Sequence, residues 1–323
     1  MENIKEFMEL AKAEFIRMMP DELAENVEID EATVTKMNDQ VLHGLVVKIK
    51  DQNSAPTMYM DEAFRRYTSG EDTLESLMTD AVQEYLNAMT NKPVNILEDF
   101  SFENIKEKLS VRLLDVKRNR QYLSDVPYVM VGNGFAYVCD IRIDSEMEGF
   151  WKTTITRSLM ETEGYDKKEL FATALERSVE ASPATLISME ANLFGFGDYE
   201  NVLERDDVMP DDQKDHMYVL STAAGQFGAA ALFYPEIKEM IAEKLGESYY
   251  ALPSSLHEVL IVPESAGVNP EDLGRMVYEA NRSIVDPQDV LSDDVLHYDK
   301  DSRKLETISC EMNRETEGIE RAC

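Results

Sequence analysis

The sequence predicts an α+β fold, with mixed or antiparallel sheets flanked by helices. Helical and strand-like periodicities alternate irregularly along the 323 residues, whereas a parallel α/β sheet shows a regular strand–helix–strand order. Two turn signals, the polar segment Met37–Asp39 and the Gly–Asn–Gly segment at 132–134, stand between strand-like segments. Hairpins join antiparallel strands, so both signals favour antiparallel pairing.

Residues 1–92 are expected to form a helix–hairpin–helix unit. An apolar stripe at helical spacing over residues 3–19 predicts the first helix. Apolar and polar residues alternate in 41–50 as in a half-buried strand, and its predicted partner is 27–36. An apolar period of 3.6 residues from residue 72 predicts the second helix.

Residues 93–300 are expected to form a larger α+β domain. A helix is predicted near 101–123, and a hairpin follows at 128–141. Further helices are predicted at 166–180, from Pro235 and from Asn269, and further strands at 184–189, 217–222, 229–234, 249–252 and 256–262. Residues 301–323 are expected to be a polar tail, with strand pairing to about residue 308 and fraying beyond it.

The charge balance narrows the classes of partner. The chain carries 64 acidic and 32 basic residues, a formal net charge of −32. Such a surface repels the phosphates of nucleic acids and anionic membranes, so direct binding to either is not expected. Two interpretations of the acidity stay open. It keeps the protein soluble, or it imitates the charge of DNA in order to occupy a DNA-binding partner.

A cytoplasmic location is predicted from cysteine usage and from the lack of export and membrane signals. Cys139, Cys310 and Cys323 include no CxxC pair, which fits a reducing compartment. The acidic amino-terminal segment lacks the basic start and apolar core of a signal peptide. No apolar run approaches the roughly 20 residues that span a bilayer.

Six segments distributed along the chain carry a family resemblance. They are VLHGLVVK, SAPTMYMDEAF, KELFATALERS, YVLSTAAGQFGAAALFYP, ANRSIVDPQDVLSDDVLHYD and, as the most specific, LPSSLHEVLIVP. In these segments the chain resembles a family of proteins from anaerobic Gram-positive gut bacteria that is described only as a domain of unknown function. The resemblance extends to about residue 300 and implies a compact cytoplasmic α+β protein. It implies no activity, because none is established for the family.

The segment PSSLHE raises a hydrolase hypothesis. On a strand, Ser255 and His257 would share one face, so the pair is a candidate nucleophile and base. The third group would come from Asp286, Asp289 or Asp294. The nucleophile-elbow pattern GxSxG is absent, and serines after a proline commonly bond to nearby backbone. A structural turn is therefore the alternative.

The leading hypothesis is a non-enzymatic protein that binds another protein or a small ligand. No complete catalytic, metal or nucleotide pattern appears in the sequence. The strand ends near 221–229 and 253–257 are expected to form the recognition surface. The candidate binding residues are Ser221, Thr222, Ser254, Ser255, His257 and Asn281.

Neither a metal nor a cofactor is expected. The four histidines are scattered without an HExxH pattern, and the acidic loop 204–215 lacks the glycine and alternating oxygens of a calcium loop. The segment from Gly225 to Gly228 lacks the lysine of a phosphate-binding P-loop. Both glycines are instead expected to permit a tight connection between strands.

Overall fold

The computed structural model describes residues 3–49, 57–90, 99–144, 150–194 and 200–308. These residues divide into two compact units, one up to residue 90 and the other from residue 99 onward. The predicted boundary between residues 92 and 93 lies outside the described residues, as do residues 309–323 of the predicted tail.

The described part of the first unit combines four α-helices with a three-stranded antiparallel sheet. The elements are α1 (Ile4–Met18), α2 (Asp21–Ala24), β1 (Val27–Thr35), β2 (Val41–Ile49), β3 (Thr57–Tyr59), α3 (Asp61–Ser69) and α4 (Leu74–Thr90). The sheet has the order β1-β2-β3. Helix α1 packs against α4, where the rings of Phe15 and Tyr85 lie 5.9 Å apart, edge to face. The apolar stripes of both helices are buried in this core, as their 3.6-residue period predicts.

The second unit contains seven α-helices and ten strands among its described residues. The helices are α5 (Phe102–Ile105), α6 (Tyr122–Asp125), α7 (Arg157–Glu163), α8 (Lys167–Ala181), α9 (Met189–Phe194), α10 (Ile237–Leu245) and α11 (Pro270–Ser283). The strands are β4 (Leu109–Asp115), β5 (Tyr128–Gly132), β6 (Phe135–Asp144), β7 (Phe150–Thr154), β8 (Ala184–Ser188), β9 (Tyr218–Thr222), β10 (Tyr249–Leu252), β11 (Val259–Pro263), β12 (Val295–Asp299) and β13 (Lys304–Ile308).

Strand β6 is the centre of the smaller sheet of the second unit. Strand β4 pairs with one side of β6, while β5 and β7 pair with successive halves of its other side, and all three pairings are antiparallel. The hairpin predicted at 128–141 is present. Its turn residues Gly132, Asn133 and Gly134 all have positive φ, which is the property that the sequence pattern indicates.

The helix predicted near 101–123 is wrong over its centre, because Leu109–Asp115 is strand β4. Six of the seven residues of this strand are buried. A strand buried on both faces shows a nearly continuous apolar run, which periodicity alone does not distinguish from a buried helix. This correction matters for function, since β4 carries Ser110 and Arg112.

The larger sheet has six antiparallel strands in the order β13-β12-β10-β11-β9-β8. The strand predicted at 229–234 is wrong, because Gly228–Phe233 forms a buried 3-10 helix. Its backbone groups find partners outside a sheet, and the Tyr137 hydroxyl donates to Ala230 O at 2.8 Å. The predicted α+β class with antiparallel sheets is confirmed. Among the described residues, no helix is both long enough and apolar enough to cross a membrane.

Candidate functional site

Strand alternation places a row of polar side chains on one face of the smaller sheet. Directly opposed residues of antiparallel strands share a face, and so do residues two apart on one strand. The residues of this polar face are Ser110 and Arg112 on β4, Asp140 and Arg142 on β6, and Lys152 and Thr154 on β7. The intervening residues belong to the other face, where Val111, Cys139 and Ile141 are buried.

A buried ion pair fixes the centre of the polar face. Arg112 Nε lies 2.8 Å from Asp140 Oδ2, and Arg112 Nη2 donates to Asp140 Oδ1 at 2.8 Å. Arg112 Nη2 also donates to Thr154 Oγ1 at 2.7 Å, and the Thr154 hydroxyl donates to Asp140 Oδ1 at 2.8 Å. Arg112 and Asp140 are both buried. The close ionic contact of Nε and the hydrogen bond of Nη2 together supply the short-range geometry that a buried ion pair needs.

Phe227 lies against two cations of this face. Its ring centroid is 5.2 Å from Arg112 Cζ and 4.8 Å from Lys152 Nζ, distances at which an aromatic ring attracts a cation. The backbone of Phe227 has a φ of 54°, in the left-handed region that costs a non-glycine residue about 1 kcal/mol or more. Such strain is concentrated at functional sites, so Phe227 is a candidate site residue.

Gly228 allows the chain to pass close to two other segments. A Cβ at this position would lie 2.2 Å from Ser221 Oγ and 2.6 Å from His257 O, which leaves no space for a side chain. Gly225 has a φ of 68° and so uses the conformational freedom of glycine. The expected tight connection is therefore present, although it joins β9 to a 3-10 helix and not to another strand.

The imidazole of His257 packs against the ring of Phe227. The two rings are stacked, with centroids 5.4 Å apart and an interplanar angle of 26°. His257 Nδ1 accepts a hydrogen bond from the Phe227 backbone N–H at 3.2 Å, and His257 Nε2 lies 3.4 Å from Asp289 Oδ1. Because Nδ1 accepts, this pattern assigns the proton of the neutral ring to Nε2, where it faces the carboxylate.

The serines of PSSLHE bond within their own turn. Ser255 Oγ accepts from the His257 backbone N–H at 3.0 Å, and Ser254 N donates to Leu252 O at 3.0 Å. Strand β11 begins only at Val259, so Ser255 and His257 precede it and the expected sharing of a strand face does not apply. The Nδ1 atom of His257 is already bonded to Phe227 and is not directed at the Ser255 hydroxyl.

The other predicted binding residues lie in two places. Ser221 Oγ donates to His257 O at 2.8 Å, and Thr222 is buried beside a cavity, so both lie with His257 in one region. Asn281 has a different environment on α11. Its buried side chain donates from Nδ2 to Ser292 O at 2.9 Å and to Asp293 Oδ1 at 2.8 Å, which fastens α11 to the segment before β12.

The cavity has a volume of about 140 Å³ and lies within the second unit. Its lining comes from β4, β6, β7, α8 and the segment that follows β9. Apolar surface is contributed by Leu109, Val111, Ala181, Phe227 and Tyr234. The cavity thus contacts the segment 222–227, which includes part of the recognition surface predicted from the sequence.

The charged residues of the lining are mostly cationic. Lys108, Arg142, Lys152 and Arg177 are the bases, and Glu107 is the acid. This is the reverse of the whole chain, in which acids outnumber bases 64 to 32. Arg177 is bonded to Glu107 and Glu180. Bases therefore outnumber acids in the lining by four to one.

Lys152 is the cation whose ionisation is most affected by this environment. Burial lowers the pKa of the Lys152 ammonium, and the charges of Arg112 and Arg142 lower it further, while Asp140 opposes this effect. The register places Arg142 directly opposite Lys152. Like charges directly opposite each other repel, and the carboxylate of Asp140 on the same face offsets part of this repulsion for Lys152.

Hydroxyl groups supply the uncharged polar part of the lining. Ser178 Oγ donates to Ala174 O and accepts from Val111 N, each at 2.8 Å. Burial raises the pKa of Tyr234 to about 12, so its hydroxyl is protonated at neutral pH. Ser110 Oγ is buried and finds no hydrogen-bond partner among the described residues. A buried hydroxyl without a partner costs free energy.

Sequence reasoning did not identify the cationic residues of this site. The available signal is the spacing Asp140-x-Arg142, with polar residues at every second position of a strand that is otherwise apolar. Within the described ranges, no three His, Cys, Asp or Glu residues are grouped so that they could hold a metal ion.

A family model described as "Family of unknown function (DUF5688)" matches residues 4–300. No curated protein and no solved structure matches the chain.

Proposed function

The chain belongs to this family of unknown function, whose model covers most of its length, and we propose that it is a non-enzymatic binding protein whose ligand is a small anion held in the 140 Å³ cavity. The observation that carries the proposal is the charge of the cavity lining, which holds four bases and one acid. The ligand is named by its charge because this excess of bases over acids is the reverse of the whole chain, which has a net charge of −32.

Electrostatics give the reason for an anion. Several bases around a partly enclosed cavity attract an anion, and that attraction is stronger where water is partly excluded. A bound anion also accepts charge-assisted hydrogen bonds from lysine and arginine side chains. The surrounding acidic surface repels anions at long range, so we expect the affinity to arise from these short contacts and to depend only moderately on salt.

The contacts of PSSLHE favour binding over hydrolysis. A hydrolase would require the His257 ring to accept a proton from the Ser255 hydroxyl. His257 Nδ1 instead accepts from Phe227, and Ser255 Oγ accepts from the His257 backbone. In the proposed function His257, Ser255 and Ser221 hold the segment with Phe227 against the cavity. We also propose a cytoplasmic location, with support from Cys139, a buried free thiol.

The experiment is a thermal-shift titration with simple anions. Acetate, benzoate, sulfate and phosphate are added to the whole chain at constant ionic strength, with chloride as the reference. A ligand that binds only the folded state raises the melting temperature in proportion to ln(1 + [L]/Kd). We expect at least one anion to raise it in the wild type and in Lys168→Met, and to lose the effect in Lys152→Met.

Lys168 is the matched control because it is an exposed lysine on α8 that does not line the cavity. An anion that shifts all three proteins equally acts elsewhere, and that result would overturn the proposal. The absence of any shift over millimolar concentrations would overturn it as well.

A further inference from the structure

We infer that His257 is a pH-sensitive switch: its neutral imidazole holds residues 225–227 at the cavity, and protonation of the ring releases them. The inference concerns the regulation of the proposed site, and its consequence for anion binding rests on the proposed function. It is supported by the hydrogen bonds around these residues, by the backbone conformation of Phe227 and by the charged groups near the imidazole.

Residues 225–227 lie between two anchored points of the chain. Before them, Ala224 N donates to Ser182 Oγ at 3.0 Å, a group that does not titrate. After them, Gly228 is buried where no side chain would fit. The three residues between these points are exposed or half-buried, and two of them line the cavity. They can therefore change conformation while the buried residues on either side stay in place.

The hydrogen bond that holds Phe227 requires a neutral imidazole. His257 Nδ1 accepts from the Phe227 backbone N–H at 3.2 Å, whereas a protonated imidazole carries a proton on both ring nitrogens. Protonation would direct two N–H donors at each other, so this hydrogen bond must be lost. Histidine is the side chain that ordinarily changes its charge between about pH 5 and 8.

The backbone of His257 is held independently of this hydrogen bond. Its carbonyl oxygen accepts from Ser221 Oγ at 2.8 Å, and its N–H donates to Ser255 Oγ at 3.0 Å. Phe227, by contrast, has a φ of 54°, a conformation that phenylalanine disfavours and that persists where the surroundings maintain it. Loss of the bond to the imidazole removes one of the contacts that maintain it, so we expect residues 225–227 to move.

Several charged side chains belong to the elements that pack against His257 or against the Phe227 ring. They are Asp286 and Asp289 of the segment 286–290, Glu258 beside the histidine, and Arg112, Asp140, Arg142 and Lys152 of the polar face.

The nearby charges exchange one contact of His257 for another on protonation. Asp289 Oδ1 lies 3.4 Å from Nε2, so it attracts the charged ring and an ion pair replaces the hydrogen bond to Phe227. Arg112 and Lys152 contact the ring of Phe227, with 5.2 and 4.8 Å to its centroid. These contacts oppose displacement of the ring, so the release is expected to be greatest at the backbone N–H.

The test is hydrogen–deuterium exchange of the whole chain, measured by mass spectrometry at about pH 8 and about pH 5.5, on the two sides of ordinary histidine titration. Each exchange rate is divided by that of an unstructured peptide at the same pH, which gives the protection of the Phe227 amide. In the wild type we expect this protection to fall about fivefold or more at the lower pH, the equivalent of one ordinary hydrogen bond. Constant protection would overturn the inference.

The variant His257→Asn separates the hydrogen bond from the charge. The side-chain oxygen of asparagine reaches nearly the position of Nδ1, so it accepts from the Phe227 N–H but does not become protonated. We expect equal protection at both pH values. The matched control is His297→Asn, because His297 also contacts a carboxylate, Glu264 Oε1 at 2.7 Å, but lies on β12. It should keep the wild-type response, and a response that persists in His257→Asn would overturn the inference.

A second variant keeps the histidine and changes its partner. Asp289→Asn preserves the shape of a partly exposed side chain and removes the charge that attracts the protonated ring. A lower pH should therefore be needed to release residues 225–227, and the midpoint of the fall in Phe227 protection measures it. A midpoint that does not move to lower pH would overturn the inference.

Sulfate binding separates the switch from the proposed function. Sulfate keeps its charge over this pH interval, and it is titrated at constant ionic strength. Because His257 is not part of the lining but residues 226 and 227 are, we expect release of the wall to weaken sulfate binding at the lower pH. His257→Asn should show no such loss.

The two ideas fail by different results. A fall in Phe227 protection without binding of sulfate or of the other anions would retain the switch and overturn the proposed function. Anion binding that depends on Lys152, with constant protection of the Phe227 amide, would retain the function and overturn the switch.

Discussion

Arg142 and Lys152 lie directly opposite each other on β6 and β7, so that two cationic side chains share one face at the wall of a cavity. The buried pair of Arg112 and Asp140 lies on the same face and compensates its own charges. The repulsion between Arg142 and Lys152 is opposed by the attraction of Asp140 for Lys152. Burial and the two arginines nonetheless lower the pKa of the Lys152 ammonium, so its charge is less favourable here than in water.

Replacement of Lys152 by methionine should stabilise the protein in the absence of ligand. Methionine keeps the apolar length of the side chain and removes the burial cost of the ammonium and its repulsion from Arg112 and Arg142, but it also loses the attraction to Asp140 and the contact with the Phe227 ring. Because burial is the largest cause of the lowered Lys152 pKa, we expect the free energy of unfolding to rise by about a few tenths of a kcal/mol. Urea denaturation measures the change, and Lys168→Met should produce none. A marked loss of stability in Lys152→Met would show that the ammonium group is favourable in the folded state, contrary to the argument.

The stability difference between wild type and Lys152→Met should depend on pH. Burial and the charges of Arg112 and Arg142 lower the pKa of Lys152 from its ordinary value of 10.5. A lysine whose pKa is lowered in the folded state lowers the free energy of unfolding by the full amount at pH values below that pKa. This destabilisation is lost as the pH rises towards 10.5, because the folded state releases the proton first.

The difference in free energy of unfolding between Lys152→Met and the wild type should accordingly be greatest at neutral pH and should decline above the lowered pKa of Lys152. Urea denaturation of both proteins over this interval tests the expectation. The buried tyrosines titrate in both proteins and cancel in the difference. A difference that stays constant over the interval contradicts the assigned cause.

Substitution of Gly228 should be far more costly than substitution of Gly225. In Gly228→Ala the new Cβ would lie 2.2 Å from Ser221 Oγ and 2.6 Å from His257 O, so the β9 end and the PSSLHE turn must move apart. Overpacking of this kind costs about 1–3 kcal/mol or more. Gly225→Ala meets no atom within 4 Å and carries only the cost of its φ of 68°, about 1 kcal/mol. Thermal denaturation of both variants makes the comparison, and equal losses would contradict it.

Replacement of Ser255 by alanine should lower stability. The variant leaves the His257 backbone N–H without the acceptor that Ser255 Oγ provides at 3.0 Å in a partly buried hydrogen bond, and loss of such a bond costs about 1 kcal/mol. We expect a lower melting temperature, with anion binding retained at temperatures where the protein is folded. Loss of a hydrolytic activity at an unchanged melting temperature would instead support the hydrolase hypothesis.

The sequence predicted the regular elements of this site better than the residues that give it its charge. The turn at 132–134 follows from residues that tolerate positive φ, and all three have it. Arg112 was not recognised because the apolar run of β4 resembles a buried helix. Arg142 and Lys152 come together through the register of two strands, which depends on tertiary pairing. The positive φ of Phe227 has no local signal, since phenylalanine disfavours that conformation.

The contact between the Lys152 ammonium and the Phe227 ring should give a favourable coupling energy, although burial and the neighbouring arginines disfavour the charge of Lys152. Lys152 Nζ lies 4.8 Å from the ring centroid, and a partly buried cation–π contact contributes about 0.5–2 kcal/mol. The double-mutant cycle of Lys152→Met with Phe227→Leu isolates this contribution, because the repulsion from Arg142 is removed equally on both sides of the cycle. We expect a coupling of about 0.5 kcal/mol or more, and none in the parallel cycle of Lys168→Met with Phe227→Leu. A coupling near zero would mean that Phe227 acts by shape alone, and that the left-handed backbone at this position serves to close the cavity and not to hold the cation.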